Sequence, residues 1–136
     1  MSTAVGTASE NTVTLAKVGK PAPDFNMPST KNMETLAENV KLSDYKGKWL
    51  VLLFYPLDFT FVCPTELTAF SDRLDELNGV GAEVIGISTD SVHSHRAWIK
   101  TPRDKNGIEG LRYPLASDVG GKLARAQAMR IFAAVQ

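Results

Sequence analysis

A single cysteine, Cys63, lies in the segment Phe54-Tyr55-Pro56-Leu57-Asp58-Phe59-Thr60-Phe61-Val62-Cys63-Pro64-Thr65-Glu66. Upstream, Trp49–Phe54 is a continuous apolar run, short enough for a strand buried on both faces of a parallel sheet. Pro56 stops regular pairing, and Pro64, lacking an N–H, suits the first position of a helix. The thiol is thereby placed at the seam where a strand gives way to a helix. Unpaired N–H groups and the helix dipole favour negative charge at such a start. The thiolate is the reactive form of cysteine, so this setting favours an active sulfur.

The same residues admit plainer readings. A lone cysteine in a soluble chain is commonly a small buried hydrophobe. Thr60 is placed to hydrogen-bond a thiolate or an incoming oxygen, and Pro56 and Pro64 to stiffen and shield the loop; each alone is equally a turn residue or a cap. The helix is better defined. Leu67, Phe70, Leu74 and Leu77 form an apolar stripe, Asp72, Arg73, Asp75 and Glu76 cover the other face, and Asn78-Gly79 closes it.

The surrounding chain alternates strands and helices, which argues for an α/β sheet. Glu83–Ser88 reads as a second buried strand, with Ser91 capping a helix that runs to Lys100. Thr101-Pro102 ends that helix and Lys105-Asn106-Gly107 forms a loop. Tyr113–Ala116 reads as a short strand, and Asp118 as the cap of a final helix containing Leu123, Gln127 and Ile131. Earlier, Phe25–Met27 and Met33–Leu36 are expected to form a hairpin around Pro28–Asn32, and Leu42–Tyr45 a helical turn.

The complete string Pro56-x-x-x-Thr60-x-x-Cys63 resembles the peroxidatic motif of the peroxiredoxins. The run Phe54–Phe70 is similar to the typical two-cysteine type, the alkyl hydroperoxide reductase C and thiol-specific antioxidant group. The likeness continues in Ile85–Ser91, Ala97–Ile99 and Tyr113–Asp118, and covers roughly residues 18–126. It implies a thioredoxin-like α/β fold. It implies that Cys63 is the peroxidatic nucleophile, that Thr60 hydrogen-bonds thiolate and peroxide, and that Pro56 screens the pocket. Glu66 would support the site's hydrogen bonds, or be an ordinary acid in a first helical turn. The implied reaction reduces hydrogen peroxide and small organic hydroperoxides through a cysteine sulfenic acid. An external thiol reductant, thioredoxin-like or a flavoprotein disulfide reductase, would restore the thiol. The resemblance implies a homodimer or higher homo-oligomer and calls for no cofactor.

Two parts of the family pattern are not found in these residues: a catalytic arginine in a later strand and a resolving cysteine near the C-terminus. Arg125 and Arg130 come too early to take the arginine's role. The expectation is a thioredoxin-like domain over 15–126, lacking later strands, with a loose tail at 1–14 and a divergent segment at 127–136 compatible with continued helix. Such a chain would expose a sheet edge and an apolar face. Its peroxidase activity would then be impaired, and an alternative role is association or holdase-like binding. A thioredoxin-type disulfide oxidoreductase is disfavoured, because the residues three before and three after Cys63 are Thr60 and Glu66.

Composition sets further bounds. The 136 residues suit one domain, and 43% hydrophobic residues supply a core. One cysteine excludes an internal disulfide framework and points to a reducing compartment, so a cytoplasmic location is expected. No apolar stretch approaches a membrane span, and residues 1–14 do not resemble a signal peptide. Residues 1–95 carry 7 basic and 12 acidic groups and residues 96–136 carry 8 and 3. The basic groups are spaced singly without interleaved aromatics, which fits a solvated face better than a nucleic-acid surface. His93 and His95 point to different helix faces, so no metal site is expected; both are placed at the surface or helix edge. Trp98 is assigned to packing.

Overall fold

A computed structural model describes residues 16–60, 63–126 and 134–135, with the backbone alone at Cys63, Ala134 and Val135. The tail expected over 1–14 and residues 127–133 and 136 of the final segment, with the helix positions expected at Gln127 and Ile131, lie outside the described residues.

Hydrophobic alternation sets the architecture. Strand β3 (Trp49–Phe54) and strand β4 (Ala82–Ser88) run parallel, with Val51 opposite Val84 and Leu52 opposite Ile85. Strand β5 (Leu115–Ser117) continues the sheet in parallel, Ile87 facing Ala116. Parallel neighbours need crossovers, which are supplied by helices α1 (Cys63–Asp72) and α2 (Leu74–Gly79) and then by α3 (Val92–Ile99). Strand β6 (Ala134–Val135) pairs antiparallel with β3, giving the order β5-β4-β3-β6. The composition of 127–136 is compatible with continued helix; at Ala134–Val135 the edge of β3 offers ladder partners, and the backbone is strand instead.

Because successive side chains point to opposite faces, the sheet has two cores. Leu50, Leu52, Ile85, Ile87 and Ala116 meet Phe25, Met27, Val40 and Leu123 on one face. Val84 and Leu115 meet Tyr55, Leu67, Leu74, Trp98 and Tyr113 on the other. The apolar stripe of Leu67, Phe70, Leu74 and Leu77 packs in that second core, as expected. Its helix is not continuous, however: the backbone opens at Arg73, φ −107° and ψ 16°, between α1 and α2.

The first core is closed by a small hairpin that differs from the expected one. Strand β1 (Asn26–Pro28) pairs antiparallel with strand β2 (Asn39–Lys41), not with Met33–Leu36. The segment between them is held in turns, with Asn32 Oδ1 accepting from the N–H groups of Glu34 and Thr35. The expected turn at Leu42–Tyr45 is a 3-10 helix. Both expected caps are present. The Ser91 hydroxyl accepts from Ser94 N–H at 3.2 Å, and Asp118 accepts from Leu123 and Ala124 N–H at 3.1 and 2.9 Å above helix α4 (Lys122–Ala126).

Gly86 lies where the sheet meets α1. A Cβ there would come within 2.5 Å of Leu115 Cδ2, with Tyr113 and Leu67 next nearest. Leu115 is fully buried and has little room to move. Gly86→Ala is therefore expected to destabilise the chain by about 1–3 kcal/mol through overpacking, read as a lower urea midpoint.

The three tyrosines supply a second check. Burial pushes the phenols of Tyr55 and Tyr113 well above their ordinary range, and Tyr45 is raised to about 12 by burial and then by Glu83 and Asp44. Raised phenols stabilise the fold fully below about pH 10, where the unfolded phenols are still neutral, and the contribution is lost as pH rises through the folded values. Tyrosinate absorbance is thus expected to appear late and together with loss of far-ultraviolet helix signal. Three independent titrations near pH 10 in a folded chain would contradict this.

Candidate active site

The parallel strands β3, β4 and β5 end at one edge of the sheet, where ligand sites of open α/β sheets commonly form. The chain leaves β3 there. Tyr55 N–H still donates to Ile87 C=O at 3.0 Å, extending the ladder by one bond. Pro56 and Leu57 then turn outward, both exposed. At Asp58 the chain dips back: this residue is buried, and its N–H donates to Asp90 Oδ2 at 2.6 Å.

Asp58 is the centre of a buried polar network. The Tyr55 hydroxyl donates to Asp58 Oδ1 at 2.7 Å, and His95 Nδ1 lies 2.7 Å from Asp58 Oδ2. His95 Nε2 is 3.0 Å from the Ala116 carbonyl, which can only accept, so Nε2 carries a proton. His95 is fully buried, which corrects its expected place at the surface or helix edge. Helix α3 turns its 95 position toward the sheet, and a satisfied imidazole can be buried there; His93, two residues earlier, is exposed. Around this pair, Asp90 N–H donates to Ser88 Oγ, Ser117 Oγ donates to the Asp90 carbonyl, and Asp118 N–H donates to the Ser88 carbonyl.

Beyond Asp58 the backbone is strained. Phe59 sits at φ 61°, a left-handed conformation that costs a bulky residue roughly 1–2 kcal/mol. Its ring lies 6.0 Å from that of Trp98, which is itself 5.8 Å from Tyr55. Thr60 follows, with its hydroxyl donating to the Leu57 carbonyl at 3.0 Å and its own carbonyl accepting from Asn106 Nδ2 at 3.3 Å.

Cys63 opens the ten-residue helix α1, with Pro64 second and buried. The thiol is a side chain outside the described set. Glu66 lies exposed in the first turn of α1. The helix is anchored from the α3–β5 side: Tyr113 hydroxyl donates to the Leu67 carbonyl at 2.7 Å, and Arg112 N–H to Ser71 Oγ at 2.9 Å. Arg103 forks onto Asp72, and that hydrogen bonding lowers the Asp72 carboxyl. Of the residues singled out in the sequence, Pro56, Thr60, Cys63 and Glu66 thus share one strand-to-helix passage. Tyr55, Asp58, His95, Trp98 and Asn106, which fix that passage, were not singled out as site residues. Asp58 was the one legible signal, since a carboxylate between two apolar loop residues needs a partner if it is buried. Among the described residues no cluster of three or more His, Cys, Asp or Glu side chains forms a metal site, and no helix is long and apolar enough to cross a membrane.

The model of the AhpC/TSA family matches residues 18–132. Peroxiredoxin-2 of Pongo abelii is 53% identical over 109 residues, 80% of this chain and 60% of that protein. The chloroplastic 2-Cys peroxiredoxin BAS1 of Hordeum vulgare is 51% identical over 113 residues, 82% of this chain and 53% of that protein. Among solved structures, the reduced 2-Cys peroxiredoxin of Plasmodium vivax superposes with a TM-score of 0.76 at 38% identity, covering 82% of this chain and 68% of that one. The architecture is accordingly thioredoxin-like. The chain spans between half and three-fifths of the length of these curated relatives.

Removing the buried carboxyl should expose how much this network supports. Asp58→Ala leaves His95 Nδ1 and the Tyr55 hydroxyl with only each other, 3.2 Å apart, in a dry site, and opens a void where the carboxyl accepted from both, at a cost of roughly 3 kcal/mol. Urea unfolding is expected to show that loss; a change below about 1 kcal/mol, the scale of an exposed pair, would contradict the reading.

Proposed function

The chain belongs to the AhpC/TSA family, and from that membership we propose that it is a thiol-dependent peroxidase acting on hydrogen peroxide and small organic hydroperoxides. The observation that carries the proposal is the position of Cys63 as first residue of a ten-residue helix, at the C-terminal edge of a parallel sheet, three residues after Thr60. A thiolate at that position is favoured by the N–H groups and dipole of α1.

In the proposed step the Cys63 thiolate attacks one peroxide oxygen. The sulfur–oxygen bond forms as the oxygen–oxygen bond breaks, the leaving oxygen takes a proton as water or alcohol, and the sulfur becomes a sulfenic acid. Thr60, whose hydroxyl donates to the Leu57 carbonyl, would meet the peroxide O–H as an acceptor. Pro56 would limit water at the site and Glu66 support its hydrogen bonding. An external thiol, thioredoxin-like or from a flavoprotein disulfide reductase, would then condense with the sulfenic acid, release water and, with a second thiol, restore Cys63. Residues 15–126 form the domain that carries this chemistry, and family similarity continues to residue 132. We place the protein in the cytoplasm, on the argument that a reactive single thiol needs reducing surroundings. Association into a homodimer or larger homo-oligomer fits Leu57 and Phe59, each 49% exposed on the loop.

Oxidation of Cys63 by a small excess of hydrogen peroxide, followed by intact mass, tests the proposal. The rate is expected to exceed that of the same residue in an unfolded peptide by orders of magnitude, and Cys63→Ser should show no such product. Thr60→Val is expected to slow the folded chain on the order of a hundredfold, the scale of one lost transition-state hydrogen bond. Oxidation at the peptide's rate would overturn the proposal.

A further inference from the structure

Of the three described residues other than glycine with left-handed backbone, two touch Trp98: Phe59 at φ 61° and Asn106 at φ 65°. They lie on different segments, yet they are tied together. Trp98 is fully buried, its ring is 6.0 Å from that of Phe59, and its Nε1 donates to the Asn106 carbonyl at 2.9 Å. From that anchored position Asn106 Nδ2 donates to the Thr60 carbonyl at 3.3 Å.

The Asn106 turn is itself tightly fixed. Its N–H donates to the Arg103 carbonyl, Gly107 N–H to the Pro102 carbonyl, and Ile108 N–H to the Trp98 carbonyl. A Cβ on Gly107 would fall 2.0 Å from the Thr101 carbonyl oxygen, so the turn has no slack beside Asn106. Asparagine tolerates the left-handed conformation, as glycine does, but only asparagine adds a donor at the end of a short side chain. On the other side of Phe59, the Asp58 N–H is pinned by Asp90. The strained residue is therefore held before and after by bonds from two different elements.

We infer that Asn106 is a positioning residue for the peroxide site: its side-chain amide fixes the Thr60 end of the loop that leads to Cys63. This inference rests on the peroxidase reading for its catalytic consequence and on geometry alone for the clamp. Without the amide, Phe59 and Thr60 can relax toward ordinary backbone, and the Thr60 carbonyl loses its tie to the Asn106 turn.

Asn106→Gly and Asn106→Asp test it, since both residues accept φ near 65° and neither supplies the amide donor. Hydrogen exchange of the backbone amides in 57–63 is expected to speed up about fivefold in both, as for one neutral hydrogen bond, with the melting temperature lowered by no more than the few degrees that one such bond is worth. Cys63 oxidation by hydrogen peroxide should slow by a similar factor, and the pH midpoint of Cys63 alkylation should move upward. Unchanged loop exchange in both variants would overturn the clamp. Faster exchange with unchanged oxidation and alkylation would overturn the positioning role. Wild-type oxidation no faster than that of the unfolded peptide would overturn the peroxidase reading instead, and loop exchange would still decide whether Asn106 holds the loop.

Discussion

The carboxyl of Asp58 is buried at the edge of the sheet where three parallel strands end, and a carboxyl there has to be met by donors. Tyr55 comes from the end of β3, His95 from α3, and His95 in turn reaches the Ala116 carbonyl in β5. One side chain therefore ties a surface loop to elements on both sides of it. Removing any member leaves a polar atom dry, so the members hold one another in place. The loop from Phe54 to Thr60 inherits its course from that requirement, because Asp58 cannot turn outward without emptying the network.

The two-faced sheet explains why such a network sits beside α1. Crossover helices cover one face of the parallel strands, so the strand-to-helix turns collect at the C-terminal edge. Helix α1 starts there for that reason, and Cys63 with it. The bonds from Tyr113 and Arg112 to α1 come from the segment that leads into β5. Helix α1 and the loop are thus both tied to β5 or to the segment that leads into it.

Much of this was legible in the residues, and the exceptions have physical causes. Apolar runs at Trp49–Phe54 and Glu83–Ser88 announce strands because both faces are covered, and Ser91 and Asp118 announce caps because they precede helical stripes. The partner of β1 was misplaced because β2 buries only Val40 between exposed Asn39 and Lys41, too little to form a pattern. Burial of His95 depends on Asp58, 37 residues earlier, and no local spacing reports such a pairing. The motif residues were found through their order in the chain. Their supports were not, since Trp98 and Asn106 act through contacts that the topology creates.

The strain at Phe59 connects these points. A left-handed phenylalanine persists only where its neighbours leave no cheaper arrangement, and here Asp58, Trp98 and Asn106 supply the restraints. Restraint of that kind matters to a thiolate at a helix start. Fixed dipoles favour developing charge only when they already point at it, and a loop free to reorient would spend that advantage in ordering itself at each encounter. A backbone held in an unfavourable conformation by a buried ring, a carboxylate and an amide has paid its ordering cost on folding. The chemistry proposed for Cys63 would therefore draw on the stability of the whole α/β sheet and not on the motif alone.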